Sequence, residues 1–576
     1  MFTVAEVHEL LAATRPDSPC VVVGDTVVTW AEMTERSRRF ATALRAAGLG
    51  NHRDRAELQN WESGQDHLAL FLHSSSEYLE AMLGCFKARV APCNVNSRYV
   101  ADELVGLLED SEATGLVFHS SVASVVAEAL RERTTTPMLI QVDDCPGIEL
   151  LPGARWYHDV LAAHEPLVDG SDADPDDLYL LYTGGTTGRP KAVMWRQGEA
   201  LTECFGFPRS IRSLDEMDLA GRSSRRALVV APLAHGAGQW ITFSTWNTGG
   251  TVFLLDPPHP LDPARVWSAI ERHGVDFLLI VGDALARPLV DELRRTSYDL
   301  SSLTVILSGG AALSSESKRE LLALLPGVMI LDGVGSSESG GLATSLSTGS
   351  EPTTRFPPGP GTVVLSADLD RVLQPGEPEL GWLAKRGRLA LGYLADPDAT
   401  RRIHPIVDGV RYVVPGDRAM IGADGTIDLR GRDSVTINSG GEKIFAEEVE
   451  RAVASHPAVY DCVVAGRPSV RWGEEVVAVV SFRAGASADR EELRNAAAQS
   501  IARYKLPKAF VVVERVRRTE SGKADYRWTR RIVRGEIEED RTWRDDRGIR
   551  TPCRPARRRL VPSRRCSTPS LLDTTS

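Results

Sequence analysis

A chain of 576 residues is too long for one ordinary core and is expected to hold at least two domains. Hydrophobic residues make up 42% and charged residues 25%, as in globular proteins, and a net charge of −11 excludes a nucleic-acid-binding body. No apolar run is long enough to span a bilayer, the first residues lack a basic signal region, and the eight cysteines are scattered without a C-x-x-C pair, so neither a zinc site nor a disulfide framework is expected and a cytoplasmic location is.

In chain order, Val4, Val7, Leu10 and Leu11 mark one face of a short helix. "CVVVGDTVVTW" offers two β-branched runs about Gly24-Asp25, a hairpin signal. Thr29 and Glu32 form a capping-box pair ahead of a helix that ends at Gly48. Continuous apolar runs follow: "LALFLH", "GLVFH", "LYLLYTG", "RALVVAPL", "TVFLLD", "FLLIVG" and "LTVILSGGA". They alternate with helical stretches such as "SEYLEAMLGCFKA" and "PARVWSAIERHG", which predicts an α/β fold with buried, largely parallel sheet. "EPTTRFPPGPGTVV" breaks the alternation near residue 355, and the part beyond reads as richer in β-structure. From Arg541 to Ser576 ten arginines stand against three aspartates, with four prolines and almost no apolar periodicity, so residues 541–576 are expected to be a disordered basic tail. Such a tail would suit peripheral contact with acidic lipid or an acidic partner; the plainer and favoured reading is an appendage without a role.

Only eight of the 67 basic residues are lysine. Lys191, Lys443 and Lys523 fall inside motifs, whereas Lys87, Lys318, Lys385, Lys505 and Lys508 read as solvated stems. The first motif is "YTGGTTGRPKAVMW", Tyr182 to Trp195. Gly184, Gly185 and Gly188 let backbone N–H groups turn toward one point, a nest suited to anions. Thr183, Thr186 and Thr187 add hydroxyls, and Lys191 adds a point charge, so a polyphosphate is the expected ligand. The loop is not a P-loop, because Arg189 and Pro190 separate Gly188 from Lys191.

Four further motifs follow in order: "SGGAALS" at Ser308, "LDGVGSSESGG" at Leu331, "RYVVPGDRAMIGADGTIDLRGRDSVTINSGGEKIFAEEVE" at Arg411, and "ARYKLPKAF…RTESGKADYRW" ending at Trp528. With them the chain resembles the adenylate-forming superfamily of acyl-CoA synthetases, luciferases and peptide-synthetase adenylation domains, and most of all actinobacterial acyl-CoA synthetases of the fatty-acid and steroid side-chain type. The resemblance covers roughly residues 1–535 and implies an α/β N-terminal domain over 1–431, a hinge at 432–434 and a small mobile α+β domain over 435–540. It implies a two-step reaction. A carboxylate attacks the α-phosphorus of ATP to give acyl-AMP and pyrophosphate, and the thiol of coenzyme A then displaces AMP. The substrates are ATP, CoA and a small carboxylic acid, with Mg2+ as the metal.

By the same resemblance, Thr183, Gly184, Gly185, Thr186, Thr187, Gly188 and Lys191 would grip the β- and γ-phosphates. Glu338, with Thr183, would hold magnesium, a hard cation that wants oxygen ligands. Gly335, Ser336 and Ser337 lie in the same motif, Ser337 as a phosphate-contacting hydroxyl. Gly309, Gly310 and Asp332 would hold the adenine, and Asp417 would accept the ribose hydroxyls. Arg432 and Asp433 mark the hinge. Lys523 would contact the carboxylate and the α-phosphate during adenylation. His235 would wall the acyl and thiol channel, while Gly440, Gly441 and Lys443 would swing in for thioester formation. The sequence departs from the family pattern at Ala192, whose methyl is expected to crowd a tight backbone approach, and at Val334, Asn438 and Ala446. Gly236, Ala237, Gly238 and Gly282 lie where the acyl pocket is expected. Small residues there leave room for a long, branched or steroid-linked acid, although tight backbone packing would select them equally. A carrier-loading or acyl-AMP ligase and a non-catalytic relative are the alternatives.

Overall fold

The computed structural model describes residues 1–537 apart from 132–136, 169–171, 184–189, 218–223, 256–261, 350–351, 354, 441 and 520, together with the strand Thr542–Arg544. The expected start is present. A helix Val4–Thr14 precedes the antiparallel hairpin Pro19–Val23 and Thr26–Thr29. The helix Trp30–Ala46 then opens on a capping box in which Thr29 Oγ1 accepts from Glu32 N–H and the Glu32 carboxylate accepts from Thr29 N–H.

Two eight-stranded sheets carry the large domain. In the first, the order is Gly340–Ser347, Met329–Ser336, Val305–Gly309, Phe277–Ile280, Arg226–Val229, Thr251–Leu254, Pro19–Val23 and Thr26–Thr29. In the second it is Gly392–Tyr393, Lys191–Arg196, Leu178–Thr183, Ala91–Asn94, His67–Phe71, Gly115–His119, Met138–Val142 and Ala154–Trp156. Inner neighbours are mostly parallel; antiparallel pairs close both edges of the first sheet and one edge of the second, whose other edge, Ala154–Trp156, pairs parallel. The fold class read from the sequence therefore holds. Between the sheets lies one large core built on Trp30, Phe40, Tyr78, Phe86, Tyr179, Trp195, Phe205 and Trp246, each removing roughly 2–3 kcal/mol worth of apolar surface from water.

A third, antiparallel sheet contains Gly381–Arg386, Asp417–Ile421 and Ile427–Arg432. After a single helical turn, Asp433–Val435, the chain enters the sheet of the small domain. There Val459–Ser469, Gly473–Phe482 and Ala509–Val512 pack against the helices Ala446–Ala454 and Tyr526–Arg534. A last short strand, Thr542–Arg544, pairs antiparallel with Ala509–Val512, so these three residues do not belong to the unstructured tail expected from composition. The rest of 541–576 lies outside the described residues.

Three lysines read as solvated stems are instead almost inaccessible: Lys87, Lys318 and Lys385. An ammonium goes inside only with partners. Lys87 finds Glu9 at 2.6 Å, Lys318 finds Asp332 at 2.8 Å and Lys385 finds Glu203 at 2.9 Å. Burial pushes the Lys87 pKa down to about 8. Lys505 pairs with Glu448 at 2.7 Å, and Lys508 lies 5.7 Å over the Trp472 ring.

Enclosed titratable groups set a pH dependence. Burial pushes His119, His235 and His404 down to about 4, and lowers His8 and His67 as well. Between pH 6.5 and 4 the unfolded histidines accept protons that the folded ones refuse, so stability falls as the pH drops through that window. Glu80, raised by burial to about 7, and Glu450, to about 8, act with the opposite sign, because their folded forms are protonated first. Burial also lowers His273 and raises Asp177, Glu199, Asp276, Asp332 and Glu447, so the two signs oppose each other across this window. The histidine part is isolated in His404→Gln, whose urea midpoint is expected to fall less than that of wild type between pH 6.5 and 4.5; parallel profiles would refute this account.

Candidate active site

The site forms where both large sheets end and the small domain docks. The strands Met329–Ser336 and Gly340–Ser347 join in a tight turn with Glu338 at its tip. Ser336 Oγ accepts from the N–H groups of Glu338 and Ser339, both at 3.2 Å, and Trp195 Nε1 donates to Ser337 O at 2.8 Å. From below, Lys385 Nζ donates to Ser339 O at 2.9 Å and to Gly341 O at 2.8 Å. Gly340 has φ +65°, and a Cβ there would meet Glu203 O at 2.6 Å, which explains glycine at that turn. Tyr393 OH donates to Glu338 Oε1 at 2.8 Å; among the described residues this is the only hydrogen bond to the carboxylate, leaving its other oxygen for a ligand.

Around this tip the structure gathers several of the expected residues. Thr183 ends its strand directly opposite Lys191. Lys191 Nζ lies 2.8 Å from Asp396 and 5.1 Å from the centre of the Tyr393 ring. Gly184, Gly185, Thr186, Thr187 and Gly188 lie outside the described residues. Asp417 and Arg432 are cross-strand partners, with Arg432 Nε donating to Asp417 Oδ1 at 3.1 Å. The aspartate, first, then hydrogen bonding and Glu338, hold the Arg432 pKa high against burial.

Lys523 comes from the small domain into the same place. Its side chain reaches solvent, yet the surrounding protein and then Arg432 lower its pKa, against the fields of Glu338 and Asp417. Gly310, at φ +81°, lets its stem pass: a Cβ there would stand 3.3 Å from Lys523 Cε. His235 precedes the helix Gly236–Trp246, and its Nε2 is buried with no hydrogen-bond partner among the described residues. Burial, then Lys523 and Arg98, push it down to about 4, so it is neutral near pH 7 and too weak a base to take protons there.

Other expectations need correction or stand apart. Gly238 and Gly282 do not open a pocket. A Cβ on Gly238 would lie 2.5 Å from Pro232 O, and one on Gly282, at φ +56°, would lie 2.5 Å from Ala312 O. Backbone fills the space, which is the packing alternative. Gly236 is closed by Leu181 and Trp240. The Ala192 methyl lies in the apolar cluster with Tyr182, Leu180 and Met194, and the loop it is expected to crowd lies outside the described residues. Val334 packs against the third sheet's core. The Asp332 carboxylate is taken by Lys318, while Gly309 ends its strand opposite Gly333. Asp433 starts the turn after Arg432. Gly440, at φ +63°, packs under Trp472 and Lys443 is exposed on the next strand; neither joins the cluster around Lys523, and Gly441 lies outside the described residues. Sequence reasoning missed Tyr393, Trp195 and Lys385. "GYLADPDAT" carried a usable signal, since Asp396 caps a helix with Pro397 at its first position.

Comparison with known proteins decides the family. The AMP-binding enzyme model matches residues 9–394, and the AMP-binding enzyme C-terminal domain model matches 448–523.

The chain belongs to the AMP-binding enzyme family.

Within that family it is 48% identical to the medium-chain acyl-CoA ligase Mig of Mycobacterium avium, over 92% of this chain and 98% of the relative. It is 37% identical to the 3-oxocholest-4-en-26-oate–CoA ligase of Rhodococcus rhodochrous, over 87% and 91%. Among solved structures, an anthranilate CoA ligase in complex with anthranoyl-AMP superimposes with a TM-score of 0.77 at 20% identity, over 93% of this chain and 98% of that one. The benzoate CoA ligase from Burkholderia xenovorans gives 0.75 at 21%, over 92% and 100%. At such identity these structures show the shared fold alone. No helix among the described residues is long and apolar enough to cross a membrane.

Proposed function

We propose that this AMP-binding enzyme is an ATP-dependent acid–CoA ligase acting on an aliphatic carboxylic acid. One observation carries the reading: a lysine of the small domain, Lys523, stands within the fields of Glu338 and Asp417 of the large domain and of Arg432 where the hinge begins. A cation so placed is suited to hold a carboxylate against an α-phosphate while charge shifts to pyrophosphate. In the first half-reaction the carboxylate oxygen bonds to the α-phosphorus and pyrophosphate leaves. In the second the CoA sulfur bonds to the acyl carbon, its thiol proton is lost and AMP leaves. No strong general base is needed in the first step, which suits a neutral His235.

The glycine- and threonine-rich loop with Lys191 would hold the β- and γ-phosphates, Asp417 the ribose, and Gly309 and Gly310 the face of the adenine. The donor set fits magnesium: Glu338, oriented by Tyr393 and left with a free oxygen, and the Thr183 hydroxyl are hard oxygen ligands. When bound, the ion would neutralise phosphate charge. The hinge would lie at 432–434, with Gly440, Gly441 and Lys443 reserved for the thioester-forming pose. The acid is placed in the medium- to long-chain or steroid side-chain class on the strength of the relatives; glycine content at the pocket does not support it. A cytoplasmic location accords with Cys20, Cys85, Cys93, Cys145, Cys204 and Cys462, all unpaired.

The test is exchange of labelled pyrophosphate into ATP across medium-chain, long-chain and steroid side-chain acids, followed by addition of CoA. Exchange with at least one of these acids and thioester on adding CoA is expected. Exchange without thioester would replace the reading by an acyl-AMP or carrier-loading ligase, and absence of exchange with every acid would overturn it.

A further inference from the structure

Lys523 sits on a very tight loop. Gly522 N–H donates to Thr519 O and Thr519 N–H to Lys523 O, each at 2.9 Å, and Arg518 pairs with Ala524 across the base. The loop has no core of its own, so something must aim it. Arg518 grips Asp461 with Nε and NH2, at 3.0 and 2.5 Å. The Oδ1 that accepts from Arg518 NH2 also lies 3.6 Å from NH1 of Arg287 in the large domain. Arg287 lies on the helix Gly282–Leu293 and is nearly buried. Its NH1 also donates to Tyr460 O, and its NH2 donates to Asp283 Oδ2 at 2.8 Å. Asp283 Oδ1 in turn accepts from Ser314 N–H at 2.8 Å, at the end of the loop that contains Gly310. Gly522 rests on the start of the same helix, where a Cβ would stand 3.2 Å from Val281 O and 3.5 Å from Ala284 Cβ.

We propose that Arg287 is a positioning residue for adenylation: it clamps Asp461 and Tyr460 of the small domain, and through Arg518 it fixes the loop that presents Lys523 beside Gly310. This inference rests on the ligase reading for its catalytic consequence. A planar guanidinium suits the task, because one fork reaches a carbonyl, a carboxylate across the domain boundary and a carboxylate on its own helix. The clamp exists only while the small domain is docked this way, so it favours one half-reaction over the other.

The experiment compares wild type, Arg287→Ala and Arg287→Lys as full-length chains, with folding checked by thermal melting. Arg287→Ala is expected to lower kcat for pyrophosphate exchange at least tenfold with little change in KM for ATP. Thioester formation from pre-made acyl-AMP and CoA is expected to persist at the wild-type rate or above, and Arg287→Lys to recover part of the exchange. Amide hydrogen exchange at residues 281–287 and 521–526 is expected to speed up in Arg287→Ala, a readout that needs no substrate. Equal losses in both half-reactions, or unchanged pyrophosphate exchange, would overturn the proposal. If wild type exchanges pyrophosphate with no acid, the ligase reading fails separately; amide protection then decides, and unchanged protection would overturn the clamp.

Discussion

Replacing Lys523 by alanine is expected to slow acid-dependent pyrophosphate exchange by about 10²–10³-fold, the usual cost of removing a charge-stabilising donor aimed at a transition state. Among the described residues, the positive group whose field reaches Lys523 is Arg432, which is committed to Asp417 at 3.1 Å. Little of the loss should come from instability, because the side chain is solvent-accessible and packs only lightly against Gly310. The two half-reactions separate the roles. Conversion of pre-made acyl-AMP to thioester should stay within a few-fold of wild type, since no α-phosphate is attacked in that step. A variant that lost both half-reactions equally would place Lys523 in binding or folding instead.

The second large effect is expected at Lys385, a residue away from the reacting atoms. Its ammonium is buried against Glu203 and two carbonyls of the turn that carries Glu338. In Lys385→Met the apolar stem remains, but the Glu203 carboxylate, whose Oε1 already lacks a partner among the described residues, keeps only Arg209 at 2.6 Å. Stranding a buried charge in this way costs about 3 kcal/mol. Urea unfolding should show that loss. Adding Glu203→Gln should recover part of it, because removing both charges is far cheaper than removing one. Pyrophosphate exchange should fall at least tenfold even where the variant is fully folded, since the turn holding Glu338 loses two anchors. A single variant within about 0.5 kcal/mol of wild type would show that the pair is not structural.

Lys385 also marks the limit of what the sequence discloses. Elements with local causes were legible: the capping box at Thr29, the hairpin at Gly24-Asp25 and the apolar parallel strands all formed where periodicity and turn chemistry placed them. The family resemblance singled out Glu338, Asp417, Arg432 and Lys523 from motifs far apart in the chain, and the fold brings these four side chains near one another. What depends on partners remote in sequence was not legible. Lysine is usually exposed, so the sequence around Lys87, Lys318 and Lys385 suggests surface groups; their partners Glu9, Asp332 and Glu203 are remote in the chain and only the fold brings them close. Glycine is ambiguous in a similar way, because a missing side chain leaves space without saying what occupies it. At Gly238 and Gly282 backbone carbonyls occupy it, not substrate.

The hairpin near the N-terminus has a consequence for synthesis. Pro19–Val23 takes its parallel partner from Thr251–Leu254 and so joins the first sheet, although the strands next made belong to the second. At about 5–20 residues per second, a ribosome needs on the order of tens of seconds to supply that partner. Throughout this interval the β-branched edge of Val21 and Val22, and the face of Trp30 that will meet Trp246, have nothing to pair with. The first fifty residues therefore leave the ribosome with apolar surface to shelter, and the yield in a foreign host should depend on how slowly they find the wrong neighbour.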